Sequence, residues 1–277
     1  MTEPDDKSAI QVAREGGIGV ITFNRPEALN AINRAMMHAV SDALKIMARD
    51  RAIRVVVVQG AGRAFSAGFD LKESLTGAER TPEALRQVLE EDLDFILQFW
   101  DFPKPVIAAV HGYCLAGAFE LALACDVTIA AQGTRFGEPE VRFGSGLVAL
   151  LLPWMTTPKI AKEVLLTGND NLTAQRAYEM GIINAVVPDG EPLGSAMAMA
   201  NTIAASAPTA VQMTKRAINR AYEIAGMRHA VLAALDIDIL IESEGGVEKA
   251  EFSRIRAEKG LKAALEWRDN RYQTTGK

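Results

Sequence analysis

Residues 106–126, VIAAVHGYCLAGAFELALACD, decide how this chain is read. They open with a short apolar β-prone run, Val106–Val110, and turn at His111-Gly112. Leu115-Ala116-Gly117-Ala118 then leads into an apolar helical run over 119–125 that holds one carboxylate, Glu120. A strand that delivers a small-residue turn to a helix N-terminus makes an anion site. The first N–H groups of the helix lack intrahelical partners, and the helix dipole is positive there. Glycine at 117 lets a ligand approach the backbone closely. Glu120 lies three residues on, above Gly117 on the same helix face. One helical turn thus offers an oxyanion donor beside an acid or base. A plainer reading stays open, in which Gly117 is the N-cap and Glu120 is an N3 carboxylate favoured by the dipole. The flanking Phe119, Leu121 and Leu123 tilt it toward chemistry, because an apolar setting raises a carboxyl pKa at a cost in stability.

Outward from that stretch, strand and helix signals alternate. Ile18–Phe23 reads as a strand after the Gly16-Gly17 turn, and Asn24-Arg25-Pro26 breaks it. Over 34–49, Met36, Met37, Val40, Ala43, Leu44 and Met47 recur at helical spacing. Residues 55–58 are a continuous β-branched run, the mark of a strand buried on both faces. Thr81 and Pro82 suit the N-cap and first residue of a helix running to about Trp100. After the central helix, 127–130 reads as strand and 133–146 as a loop around Glu138-Pro139-Glu140. Helices are expected from Thr157 to 166 and from Thr173 to Met180-Gly181, with a strand at 183–187. Beyond these lie four helical segments, over 193–205, 209–225, 228–242 and 247–267. The expectation is an α/β fold with a mostly parallel sheet and a helical C-terminal region. Its parts are a loose tail over 1–10, a core domain over 11–190 and a helical region over 191–277.

Composition excludes several classes of function. With 277 residues, 49% of them hydrophobic, the chain can bury a substantial core. A formal net charge of -5 supplies no basic field for nucleic acid. No apolar run is long enough to span a membrane. Two cysteines, Cys114 and Cys125, read as buried apolar residues in a reducing, cytoplasmic setting. The three histidines are not spaced with them as metal ligands, so no metal site is expected.

Three stretches stand out together: GAGRAFSAGFDLKE (60–73), HGYCLAGAFELALACD (111–126) and RFGEPEVRFGSG (135–146). With NRPEALNAI (24–32) before them and TGNDNLTAQRAYEMGIINAVVP (167–188) after, this ordered set strongly resembles the enoyl-CoA hydratase/isomerase family, the crotonase superfamily. The resemblance implies a spiral core of ββα units and an acyl-CoA thioester substrate. It implies an oxyanion hole from the N–H groups of Phe69 and Gly117, and catalytic glutamates at Glu120 and Glu140. Retention of both glutamates favours reversible hydration of a 2-enoyl-CoA, or dehydration of a hydroxyacyl-CoA. Glu140 is preferred to Glu138 by motif position only, and each also reads as a solvated loop carboxylate. CoA is part of the substrate, and no separate cofactor is implied. Contacts to it fall on Ala64, Ser66, Asp70 and Leu71, with Arg25 near a phosphate and Lys259 or Lys262 near the nucleotide. A homotrimer, or a dimer of trimers, assembled through the C-terminal helices is implied as well.

One departure stands against this pattern. Where hydratases of the family carry a Pro-Gly-x-Gly-Gly turn, this chain reads Gly146-Leu147-Val148-Ala149-Leu150-Leu151. Either the following helix begins early, at Gly144-Ser145-Gly146, or the acyl pocket has a different shape. The alternatives are a Δ3-Δ2 enoyl-CoA isomerase or C–C bond hydrolase of the same fold, and, from another class, a non-catalytic binder of acyl-CoA or RNA.

Overall fold

The computed structural model describes residues 8–75 and 80–273. The chain starts with a hairpin, β1 (Ile10–Glu15) and β2 (Ile18–Phe23), turned at Gly16 with φ +56°. α1 (Arg34–Arg49) follows, capped by the Asn33 side chain, which accepts from Met36 N. β3 (Val55–Gly60), β4 (Val106–Val110), β6 (Val127–Ala131) and β9 (Ala185–Val187) complete a six-stranded sheet in the order β1-β2-β3-β4-β6-β9. Within this sheet, among the described residues, only the β1–β2 pair is antiparallel. A second sheet of three short strands joins β5 (Tyr113–Leu115), β7 (Arg135–Gly137) and β8 (Leu172–Thr173) in the order β5-β7-β8. Between these strands run α2 (Pro82–Asp101), α3 (Gly117–Ala124), α4 (Leu152–Met155), α5 (Pro158–Thr167) and α6 (Ala174–Glu179). The C-terminal helices are α7 (Pro192–Ala204), α8 (Pro208–Ile224), α9 (Met227–Glu244), α10 (Gly246–Lys259) and α11 (Leu261–Gln273).

The β-branched run of β3 is buried on both faces because side chains alternate along a strand. Val56 and Val58 join the large core formed with α1, α2 and α3. Val55 and Val57 join Ile107 and Ala109 in a second core, closed by Ala196 and Ala200 of α7. Capping agrees with the sequence. Thr81 accepts from Ala84 N, Thr157 from Ile160 N and Thr173 from Arg176 N.

Four expectations need correction. Ile10, assigned to a loose tail, starts β1 and is buried against the sheet; residues 1–7 of that tail lie outside the described residues. The loop over 133–146 contains β7 and a 3-10 helix, Glu140–Phe143. The single helix expected over 247–267 is two, broken at Gly260, whose φ of +86° a glycine adopts without strain. Finally, α7 lies past the expected core boundary at 190, yet it covers the sheet. The rest of the C-terminal region is tied down by Lys215 of α8. Its buried ammonium donates to Asp126 at 2.7 Å and to the Lys104 carbonyl at 3.1 Å.

Candidate active site

Two backbone turns meet at the floor of a cavity of about 970 Å³. The first is the Gly68–Phe69 turn. Ile32 N donates to Gly68 O and Asp70 N to Ile32 O, both at 2.8 Å. Successive N–H groups of an extended chain point to opposite sides, so Phe69 N–H faces away from that pairing. The second turn begins α3. Ala116 N donates to Gly137 O at 2.8 Å, which fixes the approach to the helix. Neither Phe69 N nor Gly117 N has a hydrogen-bond acceptor among the described residues. Ser66 splices the two turns. Its hydroxyl donates to Asn30 O at 2.8 Å and accepts from Gly68 N at 3.2 Å, while its backbone bonds Tyr113 and Leu115 of β5. The approach is close enough to demand glycine. A Cβ on Gly68, at φ +90°, would lie 2.6 Å from the Ala116 Cβ. One on Gly117 would lie 2.4 Å from the Phe69 ring.

The helix start differs by one residue from expectation. Ala116, not Gly117, is the N-cap, and Glu120 is the fourth helical residue. The Glu120 carboxylate therefore does not close a capping box. It accepts from Ala149 N at 2.9 Å, is 3% exposed, and lines the cavity together with Gly117 and Phe69. Burial, then the neighbouring Glu140, hold its pKa well above the usual carboxylate range. Glu140, in the 3-10 helix, lines the same cavity, and burial pushes it up to about 7.

Glu138 is not the solvated loop residue its sequence suggests. It is 2% exposed and lies close enough to Glu140 for the two carboxyls to affect each other's pKa. The Oε2 atoms of both are buried with no hydrogen-bond partner. Burial, then the adjacent Glu140, hold the Glu138 carboxyl well above the usual carboxylate range. A raised carboxyl pKa contributes stability that is complete below the unfolded value and lost as pH climbs through the folded one. For Glu140 that window runs from 4.5 to about 7. Glu138→Gln removes the ionisable group while keeping the side chain's size. Thermal unfolding scanned over pH should show the wild type losing stability through this window and the variant losing less. A variant with an unchanged pH slope would exclude a proton on Glu138.

The helix after Glu140 does not begin early at Gly144-Ser145-Gly146. Residues 147–151 are not helical, and α4 begins only at Leu152. Ser145 is held by Glu242 and Lys249 of the C-terminal helices, and Gly146 abuts Asp238 of α9. Val148 lines the cavity, and Ala149 supplies the N–H to Glu120.

A family model described as enoyl-CoA hydratase/isomerase matches residues 13–274. The chain belongs to that family, the crotonase superfamily. A probable mitochondrial enoyl-CoA hydratase of Dictyostelium discoideum is 36% identical over 218 residues, covering 76% of this chain and 75% of the relative. The 2,3-dehydroadipyl-CoA hydratase of Escherichia coli (strain K12) is 35% identical over 223 residues, covering 79% and 84%. The crystal structure of an enoyl-CoA hydratase/isomerase from Xanthobacter autotrophicus Py2 superposes with a TM-score of 0.91 at 45% identity, covering 95% of this chain and 98% of that one. This protein is accordingly an enzyme of the enoyl-CoA hydratase/isomerase family. Among the described residues no helix is long and apolar enough to cross a membrane.

The remaining residues named from the family pattern fall into two groups. Asp70 and Leu71 line the cavity, whereas Ala64 and Ser66 lie buried beneath the turn. Arg25 places both terminal nitrogens 3.0 Å from Asp70 Oδ2 and also donates to Ala31 O. Lys259 is exposed and outside the cavity wall, while Lys262 lines it. Residues absent from the family reading also line the cavity: Asp92 of α2, and Asp238 and Glu242 of α9, all buried. Their signal in the sequence is an acid placed on an apolar helical stripe. Asp92 interrupts Leu85, Leu89 and Ile96, and Asp238 follows Val231 and Leu235.

Proposed function

We propose that this enzyme reversibly hydrates a 2-enoyl-CoA thioester. The observation that carries the proposal is the convergence of Glu120, Glu140 and the N–H groups of Phe69 and Gly117 on one cavity. One glutamate takes a proton from water as the water oxygen bonds to Cβ. The π electrons shift toward the thioester oxygen, where the two N–H groups meet the developing charge. The other glutamate delivers a proton to Cα. Backbone donors fixed before the reaction need no reorganisation, and each is worth roughly 2.7–4 kcal/mol. Two buried carboxyls that repel each other titrate apart, which supplies one acid and one base at neutral pH.

CoA enters this scheme as part of the substrate, with no further cofactor. Its phosphates would lie at the mouth, where exposed Arg63, Lys72 and Lys262 line the cavity beside Asp70 and Leu71. Arg25 and Lys259 then act indirectly or not at all, since Arg25 is committed to Asp70. We further propose assembly as a trimer or dimer of trimers. Exposed Leu232, Ile237, Leu240 and Ile241 of α9 and Val247 of α10 support a buried interface there. Two buried free cysteines fit a cytoplasmic location.

The test follows the conjugated-thioester absorbance of 2-enoyl-CoAs from short linear to branched and cyclic. Loss of absorbance that yields a 3-hydroxyacyl-CoA establishes hydration. CoA esters that bind without reacting in either direction would overturn it.

A further inference from the structure

Residues 145–151 are where this chain parts from the glycine-rich turn of its family, and no helix or strand holds them. One of the two proposed catalytic glutamates nonetheless hangs near each end of the segment. Ser145 N donates to Glu140 O at 3.0 Å, just past the 3-10 helix that carries Glu140. Ala149 N donates to the Glu120 carboxylate at 2.9 Å. Whatever fixes this segment therefore fixes how the two carboxyls stand to each other. A segment outside any helix or sheet keeps its place only where other contacts pin it.

The pin is Ser145. Its hydroxyl donates to Glu242 Oε1 of α9 and accepts from Lys249 Nζ of α10 at 2.9 Å. Glu242 is itself fixed, because Lys249 and Arg80 both donate to its Oε2, Arg80 from 2.9 Å. Burial works against the charge of Glu242, but Lys249, Ser145 and Arg80 outweigh it and hold the carboxyl below the usual range. It therefore stays an acceptor at neutral pH. An exposed ion pair would hold little. Here the side chains of Glu242, Lys249 and Arg80 are only 10%, 13% and 23% exposed. Hydrogen bonds to ionised groups are roughly twice as strong as neutral ones. One residue on, Gly146 lies against Asp238 of α9, so closely that a Cβ would stand 2.1 Å from Oδ1.

We infer that Ser145 is a positioning residue for the catalytic pair. Held by Glu242 and Lys249, it fixes the segment that joins Glu140 to the anchor of Glu120, and so takes over the task of the absent turn. The C-terminal helices α9 and α10 thereby set the geometry of two carboxyls carried on other elements. The hydroxyl acts through the backbone of its own segment and not on the reacting atoms. This rests on the hydration reading above and adds the residue that aligns its acid and base. A misplacement of about 1 Å can cost roughly 10²-fold in rate, so the loss of one such bond is enough to matter.

The test uses the full-length enzyme with Ser145→Ala, Ser145→Thr and Glu242→Gln. Ser145→Ala should lower kcat for a 2-enoyl-CoA roughly 10–10²-fold and leave the calorimetric Kd of the saturated ester within about twofold. It should also move the pH profile of kcat, because the separation of Glu120 and Glu140 sets how far apart they titrate. Ser145→Thr keeps the hydroxyl and should recover most of kcat. In a Glu242→Gln background the further loss from Ser145→Ala should shrink, since the hydroxyl acts through that carboxylate. A staple that only stabilises the fold would lower the unfolding temperature and leave kcat and its pH profile unchanged. That result, equal losses in kcat and binding, or no recovery with Thr overturns the inference. Exchange of the α-protons of the saturated ester in deuterium oxide reads the same alignment without hydration: a proton leaves Cα for a glutamate and a deuteron returns. If the wild type exchanges but does not hydrate, and Ser145→Ala slows the exchange, the hydration reading alone fails. If hydration and exchange both survive Ser145→Ala, this inference alone fails. A wild type that does neither sinks both.

Discussion

Glu140→Gln should lower kcat for hydration roughly 10²–10⁴-fold, the usual contribution of a positioned acid or base, while making the protein more stable at pH 7. An amide neither accepts nor delivers the proton that hydration moves. It also carries no charge to be buried, so the loss of stability that accompanies ionisation between pH 4.5 and about 7 disappears. These effects have opposite signs. A residue kept for structure alone would lose stability and activity together. Steady-state kinetics with thermal unfolding at pH 5 and pH 7 separates the two. Glu120→Gln should be as damaging if both carboxyls act. An isomerase that works through Glu140 alone would survive it, so a fully active Glu120→Gln enzyme would replace hydration by isomerisation.

Gly117→Ala should cost about 10²–10³-fold in kcat, the scale of a lost oxyanion donor. The added methyl would lie 2.4 Å from the Phe69 ring, which packs edge-on against Phe95 at 6.3 Å between centroids. The ring has to move, and the backbone that carries it presents the other N–H group. One methyl therefore disturbs both donors. Overpacking of this kind costs about 1–3 kcal/mol of stability, too little to unfold an ordinary domain. Thioester binding should weaken far less than turnover, because the donors act most strongly on charge that develops during reaction. A parallel fall in binding and turnover would point to a blocked cavity and not to a lost oxyanion hole.

How much of this was legible in the sequence differs from residue to residue. The buried run of β3, the threonine caps and the turn into α3 are local signals, and each appears where the sequence puts it. Gly68 and Gly117 are glycines for a reason visible only in three dimensions, since each leaves room for the other's turn. Glu120 and Glu140 were named through family motifs, and what the fold adds is that both line one cavity. Glu138 misled, because its polar loop context says nothing of the chain that folds over it. Its N–H donates to Asn169 O at 3.1 Å, from a segment 31 residues away in sequence.

The sequence by itself determined the element order, the parallel sheet and the family, because hydrophobic period, caps and ordered motifs are properties of neighbouring residues. The tertiary structure alone decided what the carboxyls experience. Glu138 looks like an ordinary loop acid along the chain, and Asp92 and Asp238 stand out only as acids on apolar helical stripes. Packing α9 on α2, and the loop after β7 beneath the C-terminal helices, takes them out of water. Desolvation depends on every atom that replaces water around a group, and those atoms come from segments far apart in sequence.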